Sequence, residues 1–414
     1  MSAARVESGR LVGADFLEDA RLQRVLGLLD CDGEEARAIG GAVRNALLGM
    51  PVHEVDIATT ALPDVTVARA KKFGLRTIPT GIEHGTVTVL VDGESFEVTT
   101  LREDVETDGR RAKVRFGRDF RADAQRRDFT INAMSVRRDG TFFDPVGGLH
   151  DLAARRVRFI GEARTRIRED YLRILRFFRF HAAYGAGEAD REGFFAAIAE
   201  RDGLDTLSRE RVRAELLKLV VAPRAAEVAV TMEHAGLLGK LLAGVSMPER
   251  LARIRQGDGE DPVLALAALT VRVTEDAERL RDRLKLSNAE SDRLAAAAAA
   301  LAPWHGLDEP PDEAALKRHL FVHGETATRD AYALAFAEAR ADMHVAAWEA
   351  GRAALGQMTA PVLPFRGADL LARGVTPGPD LGVKLARLRR LWMDAGFPEA
   401  SDVRAGLLEE VLRA

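Results

Sequence analysis

A change in hydrophobic pattern near residue 150 constrains the fold of this chain more than any other feature of its sequence. Before that point, stretches with a period of two alternate with stretches at helical spacing, as expected where strands and helices take turns. Beyond it only helical spacing recurs, interrupted by Gly- and Pro-rich breaks. The sequence therefore predicts an α/β head followed by a long helical array, and its 414 residues are enough for several cores.

The head offers several specific elements. Apolar residues at helical spacing predict a helix over 15–30, and "LPDVTVARAKKFG" predicts another. "HEVDIATT" (53–60) reads as a strand, and "GTVTVLVDGESFEVTTLR" predicts two strands joined at "DGES". A further hairpin is expected around Asp139 and Gly140.

Composition narrows the class of protein. With 60 basic and 64 acidic residues the net charge is -4, so a nucleic-acid site must come from local clusters. Cys31 is the only cysteine, which excludes an intrachain disulfide and a cysteine-based metal cage and indicates a reducing cytoplasm. The alanine-rich stretch 293–304 is too short to span a bilayer and reads as a packed helix, and the N-terminus has no apolar core of signal-peptide length.

Three acids in the head suggest a metal site. Glu54 and Asp56 lie two residues apart in the predicted strand, which would point both side chains to one face. Paired carboxylates repel each other unless a cation lies between them, and such oxygen ligands suit Mg²⁺. Glu97, between Phe96 and Val98, is a lone acid on a later strand. Taken alone, Glu54 and Asp56 could equally form a solvated strand face.

Two further patterns carry positive charge. In "GGAVRNALLG" (40–49), paired glycines precede a helix, and Arg44 could meet a phosphate, although an ordinary turn gives the same pattern. In "EDYLRILRFFRF" (169–180), an acid and three arginines recur every three residues and would form one ridge on a helix, beside packed Leu172, Leu175 and Phe178. A solvated basic face is the alternative for this ridge.

The order of these pieces resembles a known family. "GGAVRNALLG", "HEVDIATT", "TGIEHGTVTV", "FEVTTLR", "RRDFTINAM", "FFDPVGGLHDL", "EDYLRILRFFRF" and "RERVRAELLKL" follow one another over about 38–220. This set is similar to the class II tRNA nucleotidyltransferases (CCA-adding enzymes), a family that includes the bacterial poly(A) polymerases. The resemblance implies a polymerase-beta-like α/β nucleotidyltransferase head over 1–145, then an all-α neck with base recognition over 146–220, a body over 221–310 and a tRNA-binding tail over 311–414.

The resemblance also assigns roles to residues. It implies catalytic roles for Glu54, Asp56 and Glu97, with Mg²⁺ bound by Glu54 and Asp56. The positions that match nucleotide-binding residues of the family are Gly41, Arg44, Arg127, Asp128, Asn132, Asp170, Arg173, Arg176 and Arg179.

The resemblance also implies that Asp170 and Arg173 choose the base. A carboxylate only accepts hydrogen bonds and a guanidinium only donates them. Cytosine and adenine both present an amino donor beside a ring-nitrogen acceptor, whereas uracil and guanine present a carbonyl and a ring N–H. A fixed Asp–Arg pair can therefore complement C and A and reject U and G.

Basic stretches predict contact with RNA or triphosphate. They are "DGRRAKVRFGRDFRADAQRR" (108–127), which matches the family's loop for switching from C to A addition, "RRVRF" (155–159) and "RTRIR" (164–168). The presence of the loop argues against an enzyme that adds C only. For individual positions in these stretches, ordinary surface arginine is the alternative.

Three positions depart from the family pattern. Glu54 replaces the usual first Asp, Asn45 replaces the usual Asp after the motif arginine, and Ala112 with Lys113 stands where His-Pro is common. No His-Asp metal motif occurs in the second half, so an added phosphohydrolase domain is not expected.

The function that this resemblance implies is template-independent addition or repair of the 3′-terminal CCA of tRNA from CTP and ATP, with pyrophosphate released. Two alternatives stay open: a poly(A) polymerase or A-adding enzyme, and an inactive RNA-binding relative in which Glu54 has disabled metal binding. The implied partners are tRNA, CTP and ATP, with no membrane and no protein partner, in the cytoplasm.

Overall fold

The computed structural model describes residues 3–82, 85–103, 115–257, 260–340 and 344–413. The chain divides into two compact units, residues 1–207 and 208–414. Within the described ranges every strand lies in the first unit, and the last one ends at Phe143, which confirms the α/β head and helical array. The boundary at 207/208 lies within the predicted neck, and the finer division into head, neck, body and tail stays a prediction.

The first unit is built on a seven-stranded mixed sheet and two separate strand pairs. Its strands are β1 (Arg5–Glu7), β2 (Arg10–Val12), β3 (Ala36–Ile39), β4 (Asp56–Thr59), β5 (Arg76–Gly81), β6 (Thr86–Val91), β7 (Glu94–Thr100), β8 (Arg102–Glu103), β9 (Arg115–Phe116), β10 (Ser135–Arg137) and β11 (Phe142–Phe143). The sheet order is β11-β10-β3-β4-β7-β6-β5, in which β4 and β7 are parallel and the other neighbours antiparallel. The hairpins predicted at "DGES" and at Asp139-Gly140 are confirmed.

The helices of the first unit separate and follow these strands. They are α1 (Ala20–Leu29), α2 (Gly41–Leu47), α3 (Pro63–Lys72), α4 (Phe120–Gln125), α5 (Gly148–Ala153), α6 (Ala163–Glu169), α7 (Leu172–Tyr184) and α8 (Arg191–Ala199), with 3-10 helices at Asp15–Glu18, Thr130–Asn132 and Arg201–Thr206. The helix predicted over 15–30 starts later, because the Asp19 side chain accepts from Arg21 N at 2.8 Å and caps α1.

One face of the sheet carries the main core. Leu22 and Leu26 of α1 pack there with Ile57 of β4, Val89 of β6 and Val98 of β7, all nearly inaccessible to solvent. Burying an aliphatic side chain of this size contributes about 1.5–3 kcal/mol. This core fixes the strands in place. On the opposite face Ala58, next to Ile57 on β4, packs with Ile39 and Phe120 in a smaller apolar cluster.

The second unit contains only helices among its described residues. They are α9 (Arg209–Val220), α10 (Ala225–His234), α11 (Leu237–Leu242), α12 (Pro248–Ile254), α13 (Pro262–Thr270), α14 (Thr274–Leu284), α15 (Asn288–Leu301), α16 (Glu313–Glu338), α17 (Val345–Gln357), α18 (Gly367–Leu371), α19 (Pro379–Asp394) and α20 (Ser401–Arg413), with a 3-10 helix at Ala302–Trp304. The alanine-rich stretch forms part of α15 and buries Leu294, Ala298 and Leu301, as predicted. A separate small core near the C-terminus contains Leu388, Trp392 and Val411.

Candidate active site

Asp56 and Glu97 come together through sheet register. Asp56 is the first residue of β4, and the parallel pairing of β4 with β7 sets Ile57 opposite Val98. Extending that register by one residue sets Asp56 opposite Glu97, and residues opposite each other share a face of the sheet. Both acids reach the surface, although surrounding protein partly desolvates Asp56, whereas Phe96 and Val98 point into the core. The predicted direction of Glu97 is therefore confirmed.

Glu54 lies before the strand rather than in it. The predicted strand over 53–60 begins only at Asp56, so strand alternation does not set the direction of the Glu54 side chain. Even so, Glu54 influences Asp56: burial is the main cause that raises the pKa of Asp56, Glu54 raises this pKa further, and Arg127 opposes both. A bound divalent cation would relieve this repulsion between the two carboxylates.

The two carboxylates fit a divalent cation as part of a larger ligand set. Across the described ranges, no group of three or more His, Cys, Asp or Glu side chains is arranged to hold a metal. Mg²⁺ commonly takes one or two protein carboxylates and completes its shell with water and substrate phosphates. Glu54 and Asp56 match that donor set, and the role of Glu97 as third ligand or base stays a prediction.

A glycine turn brings α2 close to the "RRDFTINAM" segment. Gly40 has a φ of 66° and a ψ of -116°, a conformation that side chains disfavour. A Cβ atom there would lie 3.5 Å from Arg127 Nη1 and 3.6 Å from Asn132 O. These are ordinary contact distances, so the positive φ rather than lack of space favours glycine at position 40, and Gly41 begins α2 directly after it.

Arg44 is held by protein groups. Its side chain is only 6% exposed and donates to Asn132 Oδ1, to Asn45 Oδ1 from Nε at 3.2 Å and from Nη2 at 2.9 Å, and to the Tyr184 hydroxyl at 2.9 Å. Burial lowers the pKa of Arg44, and Tyr184 opposes that change. Arg44 thus ties α2 to the end of α7, and these contacts hold its guanidinium in place.

Asp128 and Asn132 continue this network. Asp128 Oδ1 accepts from Asn132 Nδ2 at 3.2 Å, and Asp128 Oδ2 accepts from Arg176 Nε at 2.7 Å. Both residues are 8% exposed, so these are interior contacts. Together the four residues form one hydrogen-bonded chain, Arg44–Asn132–Asp128–Arg176, called here the Arg44–Arg176 network. It joins three segments that are distant in sequence.

Arg127 links the acids to this network. Its guanidinium pairs with Asp123 at 3.1 Å and donates to Asn132 O at 3.5 Å. The same positive charge favours the ionised form of Asp56. Arg127 therefore acts on Asp56 through its charge and contacts the Arg44–Arg176 network through Asn132.

The prediction that Asp170, Arg173, Arg176 and Arg179 form a ridge on one helix is wrong for Asp170. Asp170 lies between α6 and α7, and its carboxylate accepts from Leu172 N at 3.1 Å. Arg173 N donates to Asp170 O at 3.0 Å, while the Arg173 side chain pairs with Glu169 and donates to Arg166 O at 2.8 Å. Asp170 and Arg173 are thus neighbours at a helix corner rather than successive members of one ridge.

Aromatic rings support the arginines of α7. The guanidinium carbons of Arg179, Arg176 and Arg44 lie 4.3, 5.2 and 5.3 Å from the centroid of the Phe180 ring. Tyr184, one turn later, contacts Arg44 through both its ring and its hydroxyl. The sequence analysis missed Phe180 and Tyr184, although two aromatics four residues apart beside regularly spaced arginines are a usable signal.

The basic stretch "RRVRF" serves the fold of the first unit. Asp151 is fully buried and accepts from Thr130 Oγ1 at 2.7 Å, from Arg156 Nη2 at 2.6 Å and from Arg158 Nε at 2.9 Å. Burial raises the pKa of Asp151, but these hydrogen bonds outweigh it and the net pKa is lowered. Arg156 and Arg158 thus anchor Asp151 behind the 3-10 helix of the "RRDFTINAM" segment.

The stretch "RTRIR" is also engaged within the first unit. Arg164 and Arg168 each pair with Glu200 at 2.8 Å, and Arg166 pairs with Glu169 at 2.9 Å. Residues 108–114 of the predicted switching loop, with Ala112 and Lys113, lie outside the described residues.

Replacing Asp151 with Asn should destabilise the protein by about 3 kcal/mol, because two arginines lose a buried charged partner. Since the folded pKa of Asp151 is lowered, its contribution is present at neutral pH and is lost as pH falls through that pKa. Denaturant unfolding at pH 7 and in acid would measure this. Asp92→Asn, the same change at an exposed hairpin turn, is the control; equal effects of the two changes would contradict the prediction.

The chain is similar to known proteins, over most of its length in some cases. The family model of the poly A polymerase head domain matches residues 36–158. The mitochondrial CCA tRNA nucleotidyltransferase 1 of Danio rerio is 34% identical over 402 residues, covering 89% of this chain and 85% of that protein. The chain belongs to the family of CCA-adding tRNA nucleotidyltransferases. A CCA-adding enzyme of Streptococcus pyogenes serotype M2 is 44% identical over 193 residues, 46% of this chain and 47% of that enzyme.

The fold agrees with this family. The crystal structure of the Bacillus stearothermophilus CCA-adding enzyme in complex with CTP superposes with a TM-score of 0.77 at 28% identity, covering 95% of this chain and 97% of that one. The family and fold class predicted from the sequence are therefore confirmed. Membership of this nucleotidyltransferase family implies that the protein uses a divalent metal cation. No helix in the described ranges has the length and apolar character needed to cross a membrane.

Proposed function

We propose that this protein adds or repairs the 3′-terminal CCA of tRNA from CTP and ATP and releases pyrophosphate. The position of Arg127 carries the proposal. Arg127 favours ionised Asp56 and donates to Asn132 O, so it connects one candidate metal ligand with the Arg44–Arg176 network within the first unit. The CCA-adding relatives, one of them crystallised with CTP, support the choice of substrates.

Mg²⁺ is the cation we propose, with Glu54 and Asp56 as its protein ligands. When bound there, it would supply positive charge to the triphosphate and activate the attacking 3′-hydroxyl. Asp56 must be ionised to bind a cation, and Arg127 favours that form against burial and Glu54. We assign Glu97 the role of third ligand or base, and Gly41, Arg44 and the Arg44–Arg176 network that of orienting the triphosphate and sugar.

Base choice is assigned to the corner formed by Asp170 and Arg173. The Asp170 carboxylate would accept a hydrogen bond from the amino group of C or A, and the Arg173 guanidinium would donate one to the adjacent ring nitrogen. The ion pair with Glu169 and the bond to Arg166 O hold the Arg173 side chain in place. A fixed donor and acceptor leave U and G with unpaired polar groups, at about 1–3 kcal/mol for each.

The helical second unit is proposed to hold tRNA by shape and backbone contacts rather than by sequence. The arginines of 155–159 and 164–168 described above are less suited to this task, because they form ion pairs within the first unit. We also propose a cytoplasmic location, supported by the single, unpaired Cys31.

An incorporation assay tests the proposed function. Purified protein would receive tRNA that ends before CCA, Mg²⁺, and labelled CTP, ATP, UTP or GTP singly and together. The expected product carries two C and then one A. A long A tail would indicate a poly(A) polymerase, and retained tRNA binding without incorporation would indicate an inactive relative.

Glu54→Asp should keep incorporation within about threefold of the wild-type rate. Asp retains the charge and ligand type of Glu and is one methylene shorter. A small adjustment of the segment before β4 can therefore bring its carboxylate to the proposed cation. Glu54→Gln, which keeps the length and removes the charge, is the matched comparison and should lose most activity. Rates under single-turnover conditions would decide, and equal loss in both variants would contradict the prediction.

A further inference from the structure

Asn45 makes side-chain contacts in two directions. Its Oδ1 accepts from Arg44 Nε at 3.2 Å and from Arg44 Nη2 at 2.9 Å, and its Nδ2 donates to Pro51 O at 3.0 Å. A guanidinium has only donors, so the oxygen of the Asn45 amide must face Arg44. The amino group then faces the Pro51 carbonyl, which can only accept. The orientation of the amide is thereby fixed by chemistry.

Pro51 begins the segment that carries Glu54 into β4. The turn before it closes through backbone bonds, from Met50 N to Asn45 O at 2.9 Å and from Gly49 N to Ala46 O at 3.1 Å. The Asn45 side chain reaches beyond that turn and bonds the chain three residues before Glu54. This matters because Glu54 precedes the strand, so the sheet ladder does not fix its place.

We propose that Asn45 is a positioning residue that sets the place of the Glu54 carboxylate relative to the Arg44–Arg176 network, and so tunes the affinity for the divalent cation. The inference rests on the proposed role of Glu54. An Asp at 45 would keep the contact with Arg44 and add charge to it. It would also set a carboxylate oxygen against Pro51 O, where two acceptors repel each other. Asn and Asp at this position therefore differ in their effect on the Glu54 segment.

Asn45→Asp should weaken Mn²⁺ binding about fivefold, as expected for loss of one hydrogen bond. Binding would be measured by electron paramagnetic resonance of free Mn²⁺, with a non-hydrolysable CTP analogue present. The Tm should stay at or above the wild-type value, because buried Arg44 gains a charged partner. A residue with a merely structural role would lower the Tm and leave Mn²⁺ affinity unchanged.

Asn288→Asp is the matched control, since Asn288 is exposed at the start of α15 in the second unit and its replacement should leave Mn²⁺ affinity unchanged. In a second arm, Asn45→Asp is combined with Glu54→Gln. Once Glu54 cannot bind the cation as a carboxylate, the change at 45 should have no further effect on Mn²⁺ affinity.

Two outcomes would overturn the inference: wild-type Mn²⁺ affinity in Asn45→Asp, or fully additive losses in the double variant. Asn45→Ala, which removes both contacts without adding repulsion, should also weaken Mn²⁺ binding and decides the question if the Asp variant does not fold. Failure of the wild-type protein to incorporate nucleotides would instead refute the proposed function, because the Mn²⁺ titration does not depend on turnover.

Discussion

Asp56→Asn should lower nucleotide incorporation by about 10³-fold or more, equivalent to about 4 kcal/mol of transition-state stabilisation. Asn has the size of Asp but no charge, so it cannot serve as a charged oxygen ligand for a divalent cation. Asp56 is the first residue of β4 and lies in register with Glu97. Glu54 raises its pKa and Arg127 lowers it. Single-turnover incorporation of CTP into tRNA lacking CCA would measure the loss.

The same change should leave the Tm at pH 7 equal to or above that of the wild type. Burial and Glu54 raise the pKa of Asp56 in the folded chain. An acid whose pKa is higher when folded loses stability as pH rises between its unfolded and folded values, so ionised Asp56 opposes folding at neutral pH. The difference in Tm between wild type and Asp56→Asn should vanish at pH values below both the folded and the unfolded pKa of Asp56.

Asp92→Asn provides the control for Asp56→Asn. Asp92 lies at the exposed turn between β6 and β7 with a φ of 46°, a conformation that Asn tolerates well. Its replacement removes one negative charge from the same sheet and should leave incorporation unchanged. Activity within tenfold of wild type in Asp56→Asn would refute the metal-ligand role of Asp56.

Arg173→Ala should relax the choice of CTP and ATP over UTP and GTP by about 10- to 100-fold, or abolish incorporation, with tRNA binding near normal. The guanidinium is the proposed donor to the ring nitrogen of C and A, and alanine has no side-chain donor to replace it. Competition between labelled nucleotides would give the ratio of kcat/KM values, and a tRNA titration would give the affinity.

Loss of Arg173 also removes its ion pair with Glu169, which could loosen the α6–α7 corner. Arg173→Lys separates the two effects, because Lys keeps the charge near Glu169 but lacks the planar fork that reads a base edge. Relaxed selectivity in both variants supports the base-reading role. Arg191→Ala, at an exposed position on α8, is the control and should leave selectivity unchanged. Wild-type selectivity in Arg173→Ala would show that the base-reading role is wrong here.

Predictions from the sequence were most accurate where the evidence was local. Period-two alternation identified β6 and β7 and turned Glu97 away from the core. Alternation also began the strand of Asp56 at residue 53, three residues too early, and helical spacing continued α7 back to Asp170. At both points a segment leaves regular structure without a strong breaker in the sequence, so periodicity alone could not locate the boundary.

The sequence by itself determined the order of strands and helices, the family and the candidate acids, because periodicity and motif spacing are carried by consecutive residues. Only the tertiary structure decided that Arg44 is buried against Tyr184 and that Asp128 bonds Arg176, 48 residues away. It also decided that Arg156 serves buried Asp151 within the fold. The sequence does not show whether an arginine is exposed or buried in a hydrogen-bonded network, because its partner depends on how distant segments pack.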